Sequence, residues 1–195
     1  AVGKAILLDP EARNQPLAPS YGKVREPVIR TMHLGRLLNL AKEHPKFVWW
    51  NWPDNFYSSS IQEPMNSPSV FNFFTPLYQA PGDIRNAGYV SPGFQIVNTY
   101  SAVSFPNLLW SYLHRGFSAA NTWYYPLNYS APLLLSDSSN ALVAHVDLLI
   151  CSGNMTARTR DILLTALANP ALSEQDRVAL AVWSAITCPE GVIQK

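Results

Sequence analysis

ALVAHVDLLICSGNMTARTRDILLTALANPALSEQDRVALAVWSAITC, residues 141–188, decides the fold class. Leu142, Val143, Val146, Leu149 and Ile150 recur at helical spacing; Ile162, Leu163, Ala166 and Leu167 form a second stripe, and Val178, Ala181, Val182, Ala185 and Ile186 a third. Three amphipathic helices in series follow. Gly153 suits the end of the first, Thr156 the cap of the second and Asn169-Pro170 its end. Ser173 with Asp176 three residues on resembles a capping box for the third, although Glu or Gln would be the stronger partner.

Outward from this unit, Glu26-Pro27 sets another helix start, because proline is tolerated in the first turn, where its missing N–H has no partner. Val28, Ile29, Met32, Gly35, Leu38 and Asn39 keep the period to about His44, where Pro45 stops it. Pro92 opens a further candidate through Leu113, with Pro106 expected to kink or divide it near the middle. Gly116 to Asp137, rich in Gly, Asn, Pro and Tyr, reads as a long ordered loop. FVWWNWPDNFY, residues 47–57, has no sustained period. SPSVFNFFTPLYQAPGD, residues 67–83, fences Val70, Phe71, Phe73 and Phe74 between prolines; it reads as a buried loop whose rings enter the core while the Asn72 amide satisfies backbone groups. The expected fold is mainly α, a helical bundle with long ordered aromatic and proline-rich loops. Residues 1–195 form a single mainly helical region, with 136–195 its terminal three-helix unit.

A chain of 195 residues suits one domain with a real core. Its 48% hydrophobic content is ordinary, but its 14% charged content is well below the roughly 25% typical of soluble domains, so part of the surface is expected to be covered. Fourteen basic against thirteen acidic residues, scattered without runs, give a net charge of +1 and argue against a nucleic-acid partner. No apolar stretch reaches the ~18 residues of a membrane span. AVGKAILLDPEAR, residues 1–13, places Val2, Ala5 and Ile6 at helical spacing with no N-cap before them, which reads as the last turns of a helix begun upstream in a longer polypeptide.

SPSVFNFFTPLYQAPGDIRNAGYVSPGFQI, residues 67–96, is similar to a segment of the bacterial domain-of-unknown-function 1800 family (DUF1800), in which SVFNFF-x-P is followed by a PPG turn and an AG-x-V-x-P-E-F-Q stretch. GKAILLDPEAR, GKVREPVIRTMHL, LLICSGNMTARTRDIL and RVALAVWSAITCPEGVIQK resemble family segments in the same order, so the likeness covers nearly the whole chain. Gly93 stands where an acidic residue is common in the family, and Gly191 where an aromatic or aliphatic one is. The resemblance implies the C-terminal part of an exported protein (periplasmic, cell-surface or extracellular), with a helical N-terminal half or a companion polypeptide as protein partner. It carries no established activity.

Cys151 and Cys188 fall at the C-terminal ends of the first and third terminal helices. An up-down-up arrangement makes those helices parallel and puts both cysteines on one side of the bundle, so a disulfide and two buried thiols are both open readings. His33, His44, His114 and His145 are far apart and match no metal-ligand spacing. His145 and Asp147, two residues apart on a helix, point apart and are not a ready pair. No G-x-S-x-G, GxGxxG or Walker A segment is present. No catalytic residue, cofactor or metal is therefore assigned.

Arg25 and Glu26 could clamp a substrate carboxylate or, as a structural alternative, anchor a loop at a helix start. Trp49, Trp50 and Trp52 could stack sugar rings, pack in the core, or form an interaction surface. The leading expectation is a structural or protein-interaction module without its own catalytic constellation. The alternative is part of an enzyme acting on a polymer or carbohydrate, its site completed by an N-terminal half, with Trp49, Trp50 and Trp52 lining a groove that contains Asp54 or Glu63.

Overall fold

The computed structural model of the chain describes residues 2–13, 21–40, 56–119 and 123–194. In chain order the elements are α1 (Val2–Leu8), α2 (Pro10–Arg13), β1 (Lys23–Val24), α3 (Pro27–Leu37), α4 (Phe56–Ser60), α5 (Asp83–Asn86), a 3-10 helix (Pro92–Ile96), α6 (Ser101–Arg115), β2 (Phe117–Ala119), β3 (Trp123–Tyr125), α7 (Ser130–Leu133), α8 (Ser139–Cys151), α9 (Ala157–Leu167), α10 (Glu174–Thr187), α11 (Pro189–Val192) and β4 (Ile193–Gln194). The class is mainly α.

Helix α10 is the centre of the packing. Val178, Ala181, Val182, Ala185 and Ile186 are all buried, and α8 and α6 pack against this face. The Ser138, Thr156 and Ser173 hydroxyls cap α8, α9 and α10 by accepting the N–H of Ala141, Thr159 and Asp176 respectively. The Ser173 and Asp176 side chains bond each other at 2.6 Å, hydroxyl to carboxylate. The corner between α8 and α9 is pinned by one buried carboxylate. Asp147 Oδ1 accepts the Met155 N–H at 2.9 Å, Oδ2 accepts Arg160 Nη2 at 2.6 Å, and the Asp147 carbonyl accepts the Gly153 N–H at 3.0 Å, with Ser152 and Gly153 both left-handed. In the stripe of α9, Leu163 and Leu167 enter the core, whereas Ile162 and Ala166 face outward.

Around this unit, Phe56 of α4 meets Phe105 of α6 edge to face, and Trp183 Nε1 donates to the Pro106 carbonyl at 2.8 Å. The short pair β1–β4 runs antiparallel, with Val24 opposite Ile193, and joins the segment before α3 to the end of α11.

Four expectations are corrected. Helix α3 ends at Leu37, where Leu38 and the left-handed Asn39 form a turn; the expected end at His44 and Pro45 lies outside the described residues. The division in the segment from Pro92 falls at residues 97–100, and α6 runs through Pro106. The cause is a reciprocal cap: Asn98 Oδ1 accepts the Ser101 N–H at 2.9 Å while Ser101 Oγ accepts the Asn98 N–H at 3.0 Å. Gly116 to Asp137 contains the β2–β3 hairpin, in register Phe117 to Tyr125, as well as α7. Gly116, at φ 82°, is required there, since a Cβ would fall 2.4 Å from the Tyr125 carbonyl oxygen. Finally, residues 67–83 do not fill the core. Val70 is 95% and Phe71 58% exposed, and Phe73 and Phe74 are half-buried. A local Ser69–Asn72 bridge, with Asn72 left-handed at φ 68°, turns the segment over the surface. Proline-punctuated backbone lacks ladder partners and stays near water.

Candidate functional site

A cleft of about 650 Å³, within the ordinary range of ligand sites, opens where β1, the 84–94 segment, the end of α8 and the start of α11 meet. Val24, Ile84 and Phe94 give it apolar walls, and Arg25, Cys151 and Glu190 bring polar chemistry to it. Gly93 also lines it; a Cβ there would come within 3.3 Å of Val24 Cβ, so the position is tight for the acidic side chain common in the resembled family.

Arg25 follows β1, whose pairing sets its direction. Its Nη1 donates to the Ile150 carbonyl at 2.7 Å and to that of Gly191 at 3.4 Å. The cation thereby satisfies a last-turn carbonyl of α8, where the helix dipole is negative. Glu26 turns elsewhere, accepting Gln62 Nε2 at 2.5 Å, while Gln62 Oε1 accepts the Val28 N–H at 2.9 Å. The two side chains therefore reach different partners, an arrangement that anchors the start of α3.

Cys151, buried at the end of α8, and Cys188, half-buried at the start of α11, are free thiols with sulfurs 3.8 Å apart. Cys188 Sγ lies 3.1 Å and Cys151 Sγ 3.7 Å from the Ala185 carbonyl oxygen. The Cys151 thiol's hydrogen bond, helped by the Gly191 N–H and opposed by burial, pushes Cys188 below its ordinary pKa; that same bond and burial push Cys151 up. Arg30, buried in α3, donates Nε and Nη2 to the Ile186 carbonyl at 3.2 and 2.7 Å, and its guanidinium lies over the Phe105 ring. Burial lowers it to about 10, and the neighbouring Cys188 favours its charged form. Burial, with the Arg25 charge second, also lowers His33.

Glu190, in the first turn of α11, accepts the Thr156 N–H at 3.1 Å and Thr159 Oγ1 at 3.0 Å. Burial works to raise its pKa, but the hydrogen bonds of Thr156, its own backbone N–H and Thr159 prevail and hold it at about 2. Glu190 was not anticipated from the sequence. The run Cys188-Pro189-Glu190, with proline in the first turn and an acid beside it, carried the helix-start signal.

Trp49, Trp50, Trp52 and Asp54 lie outside the described residues. Glu63 is exposed and accepts Asn66 Nδ2 at 2.8 Å. Among the described residues, no group of three or more His, Cys, Asp or Glu is placed to hold a metal ion, and no helix is long and apolar enough to cross a membrane.

A mainly helical scaffold carrying a mixed polar and apolar cleft beside a close pair of thiols is the class that the structure defines. The chain belongs to the DUF1800 family, described as a protein of unknown function; the family model matches residues 1–191. Neither the curated proteins nor the solved structures gave a match.

Proposed function

We propose that this chain is an exported helical interaction module that docks through an apolar surface onto further polypeptide, either an N-terminal helical half or a companion chain. The carrying observation is α1. Val2, Ile6 and Leu7 are 74, 63 and 73% exposed, and the helix buries none of its residues. A seven-residue helix is too short to hold itself together by hydrogen bonds, so it needs tertiary packing on an apolar face. Val70, Phe71 and Leu77 add exposed apolar area in the loop that the sequence assigns to a core. The low charge content supports the same reading, since a surface covered by protein needs less solvation. Export is supported by the resemblance and by two cysteines close enough to exploit an oxidising compartment.

The test is the double variant Ile6→Asp, Leu7→Asp, examined with the parent by light scattering after gel filtration and by uptake of a hydrophobic dye. The parent chain alone is expected to bind dye and self-associate. The variant is expected to lose most of both while keeping its helical circular dichroism. A parent that is monodisperse and dye-free, or a variant that behaves like it, overturns the reading.

A further inference from the structure

We propose that Cys188 and Cys151 form a redox-active dithiol, Cys188 being the attacking sulfur and Cys151 the resolving one, whose oxidant is a small disulfide. Three observations fix the roles. The sulfurs stand 3.8 Å apart, so closing to the roughly 2.05 Å of a disulfide asks for a small side-chain rotation. Cys188 is half-buried and Cys151 buried, so an external disulfide meets Cys188 first. Both sulfurs face the Ala185 carbonyl oxygen, Cys188 at 3.1 Å and Cys151 at 3.7 Å, so the second sulfur is held beside the first.

The surroundings of Cys188 act on its charge in both directions, and the Ala185 carbonyl, 3.1 Å from its sulfur, favours the thiol. The Gly191 N–H and the buried Arg30 guanidinium lie on one side, opposed by the Glu190 carboxylate and by partial desolvation. The thiolate attacks one sulfur of R–S–S–R, forming a Cys188–S–S–R bond and releasing RS⁻, which takes up the proton that Cys188 gave up. The Cys151 thiol then loses its proton, and its sulfur attacks Cys188 Sγ. The Cys151–Cys188 bond forms, and the second RS⁻ leaves and takes that proton. Two protein thiols are oxidised and one small disulfide is reduced to two thiols. The new bond ties the end of α8 to the residue before Pro189 and Glu190, so the redox state sets the rim of the cleft.

The probe is oxidised glutathione, with acid quenching, alkylation and peptide mapping. The wild type should give the Cys151–Cys188 crosslink and two equivalents of reduced glutathione. Cys151→Ser should accumulate one glutathione on Cys188, whereas Cys188→Ser should acquire glutathione at Cys151 at least about tenfold more slowly. A second readout needs no variant: on the native wild type, iodoacetamide should label Cys188 at least about tenfold faster than Cys151. Absence of the crosslink, glutathione retained on wild-type Cys188, or labelling that favours Cys151 or neither overturns the proposal. The outcome is independent of whether α1 docks on a partner.

Discussion

Replacing Asp147 by alanine should be among the most damaging single changes in the terminal unit, because it removes two roles of one side chain at the α8–α9 corner. The carboxylate is 6% exposed and accepts the buried Met155 N–H at 2.9 Å, so its loss leaves a backbone donor that water reaches poorly. That costs about 1–3 kcal/mol. Its second oxygen accepts Arg160 at 2.6 Å, but the Arg160 side chain is 37% exposed, so this part adds only about 0.2–1 kcal/mol. The total for Asp147→Ala is about 2–3 kcal/mol, a fall in the urea midpoint of about 1 M for a slope near the middle of the usual range. Asp147→Asn keeps an oxygen for Met155 and should lose about 1 kcal/mol, and Arg160→Gln less than that. Equilibrium urea unfolding followed by circular dichroism measures all three. If Asp147→Ala costs no more than Arg160→Gln, the Met155 bond does not hold the corner and the reasoning fails.

Gly191→Ala should destabilise the chain by about 1–3 kcal/mol by the same assay, since a Cβ would sit 1.9 Å from the Ala185 carbonyl oxygen and either α11 or α10 must move; a neutral substitution would contradict that packing. Glu190 is held at about 2 against an ordinary 4.5, so its ionised form stabilises the fold above about pH 4.5 and this contribution is lost as pH falls toward 2. Glu190→Gln should therefore be less stable than wild type at pH 7 by at most about 1 kcal/mol, given its exposure to solvent, with the difference vanishing near pH 2. A gap that persists at pH 2 would refute it. Oxidation of the dithiol spans a separation of 37 residues and should add roughly 4 kcal/mol in the chain-entropy model, raising Tm by roughly 8–16 °C; an unchanged or lower Tm in the crosslinked protein would count against the geometry.

The terminal helices were legible because each stripe is long enough to show its period and because Ser138, Thr156 and Ser173 cap by local chemistry. An up-down-up order of those helices puts Cys151 and Cys188 on one side of the bundle, but their 3.8 Å separation was not legible in the sequence. Pairing between distant segments was not legible: three-residue strands such as Phe117–Ala119 and Trp123–Tyr125 carry no period, and Val24 meets Ile193 only once the chain has folded. The Phe71 region failed for another reason. Apolar composition tells that rings need cover but not who supplies it. The start of α6 is written in local chemistry, in the reciprocal bonds of Asn98 and Ser101, and Pro106 within the helix does not divide it.

Hydrogen exchange of residues 2–8 tests the docking surface most directly, comparing the isolated chain with the protein recovered from the cells that produce it. The account predicts near-unprotected amides in the isolated chain and a slowing of about two orders of magnitude in the recovered assembly. Equal exchange in both would contradict it.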